Sequence, residues 1–287
     1  MSPEACDLVR YREPLAMRTS LRCGGWAELY AEPTDLQSLG SVIRLASERG
    51  LPVRVLGGGT NLLVSDTGVM AVVVRLRGEL AGIAVEGSKM AVGAGASLGS
   101  VVVASIRAGL SGIEPLAGIP GTLGGALAGN AGVPSRCIGD VVASVQVLTD
   151  DGAMRSMAPS ECEFAYRRSG LGGFVILGAE LVLSETSSGK VLEAARQTVS
   201  KRARLPRGNT AGSVFKNPPG DFAGRLLELA GMKGVSHGGA RYSDAHANFI
   251  VNEGGTASDV AMLVRLGFER VKSQTGVELE PEIKLWN

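Results

Sequence analysis

The chain has 287 residues, 45% hydrophobic and 20% charged, which is enough for one large or two ordinary domains with hydrophobic cores. Its 29 basic and 28 acidic residues leave a net charge of +1, which argues against a general binder of nucleic acid or anionic membranes. The 41 glycines are about twice the usual share of roughly 7%, and they punctuate apolar residues, a pattern that predicts many short elements joined by tight turns.

Targeting and metal-binding signals are weak in this chain. The first residues carry charges where a signal peptide has an apolar core. The most apolar region, residues 98–121, is interrupted by Arg107 and Glu114, and no run approaches the roughly 20 apolar residues of a membrane span. Four cysteines without a CxxC pair and two histidines do not favour a zinc site. We therefore expect a cytoplasmic protein with reduced thiols, no metal and no membrane or nucleic-acid partner.

The first half of the chain alternates apolar strands with amphipathic helices. The helix predicted over residues 33–50 has Thr34 as its N-cap and Gly50 as its terminator. The neighbouring predicted elements are strands at 26–31, 53–56 and 69–76, a hairpin over 83–92 and a helix over 98–109. This alternation indicates an α/β layer.

The second half contains a polar join that separates two sets of elements. Before it, strands recur over residues 141–183 with a turn at Asp151-Gly152, and a helix covers 191–204. The join, LPRGNTAG, is the predicted domain boundary. After it we expect a helix from near Asp221, a strand in ANFIVN, a helix over 257–275 and a last extended segment.

Two uncharged glycine-rich stretches are candidate ligand-binding loops. The first, VLGGGTNLL, follows a predicted strand, and the second, AGIPGTLGGALAGNAG, spans residues 117–132. The first matches neither the GxGxxG nor the GxxxxGK[ST] fingerprint. Backbone N–H groups in such loops can hold an anion, and the missing side chains let a large flat ligand approach. Together the loops favour a dinucleotide held by main chain, and FAD, with its diphosphate and planar ring, fits that description.

Seven motifs in a fixed order carry a resemblance to a known family. They are VLGGGTNLLV, AGIPGTLGGALAGNAG, FAYRRS, AGSVFKNP, AGRLLELAG, HANFIVN and LEPEIKLW, and they lie within residues 20–287. This order resembles the UDP-N-acetylenolpyruvoylglucosamine reductase (MurB) family. The compact spacing between Tyr166 and Ser213 resembles the shorter class of that family, which lacks an extra tyrosine-bearing loop.

The resemblance implies an α+β architecture. It implies an FAD-binding fold of the vanillyl-alcohol-oxidase type, made of two α/β subdomains, with a C-terminal α+β substrate-binding domain. The implied ranges are 1–204 for the FAD-binding region, with subdomains of about 1–78 and 79–204, and 205–287 for the substrate-binding domain. The last strand, 277–286, is expected to contribute to the active site.

The resemblance also implies a reaction. The family reduces the enolpyruvyl ether of UDP-N-acetylglucosamine to the lactyl ether, giving UDP-N-acetylmuramate, with non-covalent FAD and with NADPH as reductant. The resemblance thus implies an enzyme of peptidoglycan precursor synthesis that serves cell-wall biogenesis, cell shape, the cell cycle and cell division. Separately, we expect the protein to be a monomer. Two alternatives stay open: a flavin oxidase of the same fold that acts on a small alcohol, and a non-catalytic flavin- or nucleotide-binding protein.

The resemblance implies catalytic and substrate-binding roles for the residues of this chain that match the family's motifs. Arg167 matches the arginine that contacts the substrate carboxylate, Ser213 the proton donor and Glu282 the catalytic glutamate. Glu280 can occupy the same face of the last strand as Glu282, and the residues alone do not choose between them. The implied substrate-binding residues are Tyr166, Lys216, Asn217 and Arg225.

The cofactor is expected to lie against both glycine stretches. The first supplies Gly57, Gly58, Gly59, Thr60, Asn61 and Leu62. The second supplies Gly118, Ile119, Pro120, Gly121, Thr122, Gly124, Gly125, Asn130, Ala131 and Gly132.

Overall fold

The computed structural model describes residues 9–149 and 152–287, and these divide into two compact units. The first unit contains the described residues up to Arg10, then Tyr30–Gly58 and Val72–Arg204. The second contains Tyr11–Leu29, Gly59–Ala71 and Leu205–Asn287. Asp151, in the predicted turn at Asp151-Gly152, lies outside the described residues, and the predicted domain ranges stay predictions.

Six α-helices lie within the described ranges. They are α1 (Leu36–Glu48), α2 (Leu98–Ala108), α3 (Leu123–Ala128), α4 (Ser188–Arg202), α5 (Ala223–Leu229) and α6 (Ala257–Thr275). The N-cap of α1 is Asp35 and not the predicted Thr34, because the Asp35 side chain accepts a 2.7 Å hydrogen bond from the Ser38 N–H. Across the described residues, no helix has the length and apolar character needed to cross a membrane.

The described residues also contain eighteen strands. They are β1 (Val9–Pro14), β2 (Trp26–Ala31), β3 (Val53–Val55), β4 (Leu62–Val64), β5 (Val69–Val74), β6 (Ile83–Glu86), β7 (Lys89–Gly93), β8 (Leu110–Ser111), β9 (Gly132–Val133), β10 (Arg136–Cys137), β11 (Val142–Leu148), β12 (Met154–Met157), β13 (Val175–Val182), β14 (Ser184–Glu185), β15 (Ser236–His237), β16 (Ala240–Tyr242), β17 (Ile250–Asn252) and β18 (Lys284–Trp286). A four-stranded sheet has the order β1-β2-β5-β3.

The first unit is built on a five-stranded antiparallel sheet with the order β12-β11-β13-β7-β6. The hairpin predicted over residues 83–92 is confirmed as β6 and β7, with Glu86 opposite Lys89. Alternating strand residues such as Met90, Val92, Val145 and Val147 are buried, as expected where one face of a sheet packs on a core.

The second unit combines the three-stranded antiparallel sheet β15-β16-β17 with the parallel pair β4 and β18. Helices α5 and α6 contribute buried residues to its core, in which Phe215 and Tyr242 are the largest fully buried side chains. The Tyr242 hydroxyl donates a 3.2 Å hydrogen bond to the Leu263 carbonyl, and burial raises the pKa of this phenol.

Gly267, within α6, is a point where this core tolerates no side chain. A Cβ there would overlap Tyr242 Oη and lie 3.1 Å from Leu227 Cδ2. Alanine is favoured over glycine in a helix by about 1 kcal/mol, but overpacking a core costs about 1–3 kcal/mol. We therefore expect Gly267→Ala to lower the free energy of unfolding in urea titrations by up to about 2 kcal/mol.

The matched control for this prediction is Gly172→Ala. Among the described residues, no atom beyond its own chain neighbours lies within 4 Å of a Cβ built on Gly172, so this variant should unfold close to the native midpoint. A Gly267→Ala protein as stable as the control would show that Tyr242 moves aside at little cost.

Candidate active site

The first glycine loop packs directly against the second. A Cβ on Gly57 would lie 2.7 Å from Thr122 Oγ1, and one on Gly58 would lie 2.7 Å from Gly121 Cα. Both distances are too short for real Cβ atoms, so glycine at these positions allows the two loops of the first unit to touch. Close loop packing therefore accounts for Gly57 and Gly58, and their contact with FAD stays a prediction.

The rest of the first loop belongs to the second unit and holds the C-terminal strand. Gly59 has φ +65°, and a Cβ there would lie 2.9 Å from Thr19 Cα. The Asn61 side-chain amide donates to the Glu282 carbonyl at 3.0 Å, and the Lys284 N–H donates to the Asn61 carbonyl at 3.1 Å. Asn61, predicted as a cofactor contact, thus fixes the backbone of Glu282.

The second glycine stretch contains a short helix that was not predicted. Thr122 caps α3 by accepting a hydrogen bond from the Gly125 N–H at 3.3 Å. The Leu123 and Gly124 N–H groups donate at 2.9 Å to the carbonyls of Ala96 and Ala94. The sequence did not predict this helix because it contains Gly124 and Gly125, and glycine has a low helix propensity.

Asn130 links the end of this stretch to the turn that carries Arg167. Its Oδ1 accepts from the Gly139 N–H at 3.1 Å, and its Nδ2 donates to the Ala165 carbonyl at 3.0 Å. Reciprocal backbone hydrogen bonds join Ala165 and Arg168, at 3.0 and 3.2 Å. Within this turn Arg167 has φ +56°, an uncommon conformation for a residue with a side chain.

Arg167 lies in a positively charged region of the first unit. Its guanidinium carbon is 5.3 Å from the centre of the Tyr166 ring, within cation–π range. Burial, followed by the charge of Arg167, lowers the pKa of Arg202. Arg202 Nε is buried and has no hydrogen-bond partner among the described residues. A Cβ on Gly118 would lie 3.3 Å from Arg202 Cδ, so this guanidinium borders the second glycine stretch.

Ser213 and Glu282 are brought together in the second unit. Ser213 forms an isolated antiparallel bridge with Phe249, and the next N–H, of Val214, donates to the Asn248 carbonyl at 2.9 Å. On the other side, the Glu282 N–H donates to the Val214 carbonyl at 2.8 Å. Val214 therefore connects the two predicted catalytic residues: Ser213 precedes it in the chain, and Glu282 is hydrogen-bonded to its carbonyl.

Glu280 is joined to Lys216 by its side chain and by its backbone. Glu280 Oε1 is 2.5 Å from Lys216 Nζ, in an ion pair whose lysine side chain is 12% exposed and whose glutamate side chain is 69% exposed. The Lys216 N–H also donates to the Glu280 carbonyl at 2.8 Å. Glu280 thus has a structural partner in Lys216, a predicted substrate-binding residue.

A cavity of about 410 Å³ in the second unit adjoins Ser213. This volume falls in the range of small-molecule sites. Its lining residues are Ser213, Asn217, Phe222, Gly224, Arg225, Glu228, Ala245, His246, Ala247 and Asn248. The cavity unites three predicted site residues, Ser213, Asn217 and Arg225.

The cavity wall is tied together by hydrogen bonds. Asn217 Oδ1 accepts from the Ala223 N–H at 3.0 Å, at the start of α5. Arg225 Nε donates to Asp221 Oδ1 at 2.7 Å, and a second bond joins the same two side chains. The Arg225 hydrogen bond is the main cause that lowers the pKa of Asp221 to about 2. Arg225 therefore forms an ion pair with Asp221, as exposed arginines on helices commonly do with a nearby carboxylate.

Sequence reasoning missed two residues that the structure places at these sites. Arg202 carries no local signal, because its neighbours Arg167 and Gly118 are distant in sequence. Asn248 did carry one: an amide inside the apolar run of HANFIVN indicates a buried hydrogen-bonding role, and the side chain is 3% exposed.

Two protein-family profiles match this chain, one in its N-terminal part and one in its C-terminal part. The profile of the UDP-N-acetylenolpyruvoylglucosamine reductase C-terminal domain matches residues 203–286, and that of an FAD binding domain matches residues 27–158. A Symbiobacterium thermophilum protein named UDP-N-acetylenolpyruvoylglucosamine reductase 2 is 46% identical, over 97% of this chain and 92% of its own. A Moorella thermoacetica protein named UDP-N-acetylenolpyruvoylglucosamine reductase is 42% identical, over 96% of this chain and 92% of its own.

Solved structures agree with the sequence relatives. The crystal structure of UDP-N-acetylenolpyruvylglucosamine reductase (MurB) from Thermus caldophilus superposes with a TM-score of 0.86 at 39% identity, covering 97% of this chain and 100% of the other. A solvent-stable cholesterol oxidase, at 20% identity and a TM-score of 0.50, shares the fold over 62% of this chain. The fold is therefore the predicted FAD-binding fold of oxidases with a C-terminal domain, and the chain belongs to the UDP-N-acetylenolpyruvoylglucosamine reductase family.

Proposed function

We propose that this chain reduces UDP-N-acetylglucosamine enolpyruvate to UDP-N-acetylmuramate, with NADPH as reductant and FAD as bound cofactor, in peptidoglycan precursor synthesis. Family membership supports the reaction. The observation that carries it in the structure is the hydrogen bond between the Glu282 N–H and the Val214 carbonyl, which places Ser213 and Glu282 on adjoining backbone. A cytoplasmic location and a monomeric state stay predictions.

Three side chains have distinct tasks in this reaction. One hydride reaches C3 of the enolpyruvyl group, negative charge develops as an enolate on the carboxylate side, and one proton reaches C2. Arg167 stabilises that charge, since a guanidinium fork suits a carboxylate. Glu282, as an acidic hydrogen-bond donor, stabilises the same developing enolate. Ser213 supplies the proton to C2, as a positioned general acid.

The nucleotide portion of the substrate has candidate partners in the second unit. Asn217 and Arg225 line the cavity next to Ser213, and the well-buried Lys216 side chain follows two residues after Val214. Lysine and arginine suit the diphosphate, and asparagine suits a neighbouring hydroxyl. Tyr166, exposed beside Arg167 in the first unit, is the proposed substrate contact there.

The residues present fit FAD. The two glycine stretches meet through bare backbone, and the Arg202 Nε, beside Gly118, is buried without a hydrogen-bond partner among the described residues. A cation beside uncharged main chain suits a dinucleotide that carries a diphosphate. FAD held there would supply the transfer of hydride from NADPH to the enolpyruvyl group. The two glycine stretches would hold it.

We expect the purified protein to be yellow and to release its FAD on acid precipitation. The half-buried Cys137 thiol lies just beyond the second stretch, but burial and then the charge of Asp140 raise its pKa. A thiol that stays protonated is a poor nucleophile, so no flavin linkage should form there. Absorbance of the supernatant measures the released cofactor. Colour that stays in the washed pellet would contradict non-covalent binding.

The function is tested by NADPH consumption with and without the enolpyruvyl nucleotide. Without the nucleotide, the proposed enzyme oxidises no more than about one NADPH per bound flavin, and continued NADPH oxidation requires the nucleotide in equal amounts. A flavin oxidase would instead consume oxygen with a small alcohol, and a non-catalytic flavoprotein would show no turnover. Either of those results would overturn the proposal.

A further inference from the structure

Asn248 is buried beside the strand-like segment that follows Ser213. Its Oδ1 accepts from the Phe215 N–H at 2.9 Å, and its Nδ2 donates to the Phe215 carbonyl at 2.8 Å. Its own carbonyl accepts from the Val214 N–H at 2.9 Å. Three hydrogen bonds thus join this asparagine to the two residues after Ser213.

The opposite edge of the same segment is paired with the C-terminal segment. Phe215 faces Pro281 in an isolated antiparallel bridge. The bonds of that bridge come from the flanking residues: Glu282 N–H to the Val214 carbonyl and Lys216 N–H to the Glu280 carbonyl, both 2.8 Å. In such a pair the N–H and C=O of the central residue point to the other edge.

At that other edge the Asn248 amide takes the place of a neighbouring peptide group. Phe215 is 1% exposed, so water cannot replace the amide if it is removed. The N–H of Asn248 donates to His246 Nδ1 at 3.1 Å, which requires an imidazole unprotonated at that nitrogen. Burial lowers the pKa of His246 and favours that neutral form.

We propose that Asn248 is a positioning residue of the reductase site, which fixes the backbone of residues 214–216 and thereby the placement of Ser213 relative to Glu282. The inference rests on the proposed function. Asn248 acts through the backbone, and it is not assigned any role in NADPH oxidation. Its loss should therefore affect the step that uses Ser213 and spare the step that does not.

Asn252 provides a matched control in the same unit. It is 2% exposed, its Nδ2 donates to the Leu21 carbonyl at 2.8 Å, and its Oδ1 accepts from the Gly255 N–H at 2.7 Å. It is an asparagine of equal burial whose side chain bonds to other parts of the unit. Alanine at either position removes a comparable set of buried hydrogen bonds.

The experiment compares Asn248→Ala and Asn252→Ala as FAD-loaded proteins by stopped-flow absorbance. For Asn248→Ala we expect flavin reduction by NADPH within about twofold of native and reoxidation by the enolpyruvyl nucleotide slowed about 10–10²-fold, the scale of a small misplacement of reacting groups. Asn252→Ala should lower the melting temperature similarly but keep both rates near native.

Three results separate the possible failures. If Asn248→Ala reoxidises at the native rate, or if Asn252→Ala is slowed equally, the positioning role is wrong. If Asn248→Ala does not fold, Asn248→Asp keeps an acceptor for the Phe215 N–H and removes the donor to its carbonyl, and it should show the same selective slowing; native reoxidation there refutes the role. If the native protein fails to oxidise NADPH with the nucleotide, the proposed function itself is wrong.

Discussion

Ser213→Ala is expected to reduce its flavin at nearly the native rate and then stall when the enolpyruvyl nucleotide is added. Hydride transfer from NADPH occurs before the enolpyruvyl group is involved, so it does not need this hydroxyl. Ser213 is the proposed donor in the later proton transfer to C2, which should therefore be slowed. General-acid assistance contributes about 10²–10⁴-fold in rate, and we expect a loss of that size or more. The measurement is stopped-flow absorbance of the flavin in the two half-reactions.

Ser213→Ala should leave the backbone of its segment in place. The segment is held by backbone hydrogen bonds of Val214 and by the Asn248 amide, none of which uses the Ser213 side chain. Ser213→Cys keeps a proton donor and should recover part of the rate. An alanine variant that reoxidises at the native rate would remove Ser213 from the mechanism and turn attention to water or Glu282 as the proton source.

Local patterns allowed much of the fold to be predicted. The helix over residues 257–275 has a hydrophobic face, a capping residue at Thr256 and a terminating Gly276, and α6 has these bounds. The hairpin of β6 and β7 likewise follows from alternation around a glycine turn. Such elements are set by neighbours in sequence, which one chain displays directly.

The unpredicted features depend on contacts between residues far apart in sequence. Asn61 and Glu282 are 221 positions apart, and Asn248 and Phe215 are 33 apart. No local pattern distinguishes an amide that will hold a strand from one that will contact a ligand. The glycines at 57 and 58 show the same ambiguity, because both close packing and ligand approach require a missing Cβ.

Removal of the proposed enolate-stabilising cation gives the second large effect. Arg167→Ala should slow reoxidation of the flavin by the nucleotide about 10²–10³-fold, as loss of one preorganised charge-stabilising group does elsewhere. Arg167→Lys should recover only part, because an ammonium keeps the charge but lacks the planar fork. Residue 167 has φ +56°, a conformation that is uncommon for both alanine and lysine. A rate difference between Arg167→Ala and Arg167→Lys therefore reports the side chain and not backbone strain.

Glu282→Gln should slow the same step to a similar extent, about 10²–10³-fold, because glutamine removes the acidic donor and keeps the shape. Two hydrogen bonds place the backbone of this residue, one to the Val214 carbonyl and one from the Asn61 amide, and glutamine keeps both of them. Glu280→Gln is the matched control. It removes the charge of a carboxylate that is 69% exposed, while its amide oxygen can still accept from Lys216 Nζ and the Lys216 N–H still donates to the Glu280 carbonyl. Its reoxidation rate should stay within a few-fold of native, and a larger loss at Glu280 than at Glu282 would reverse the assignment of the catalytic glutamate.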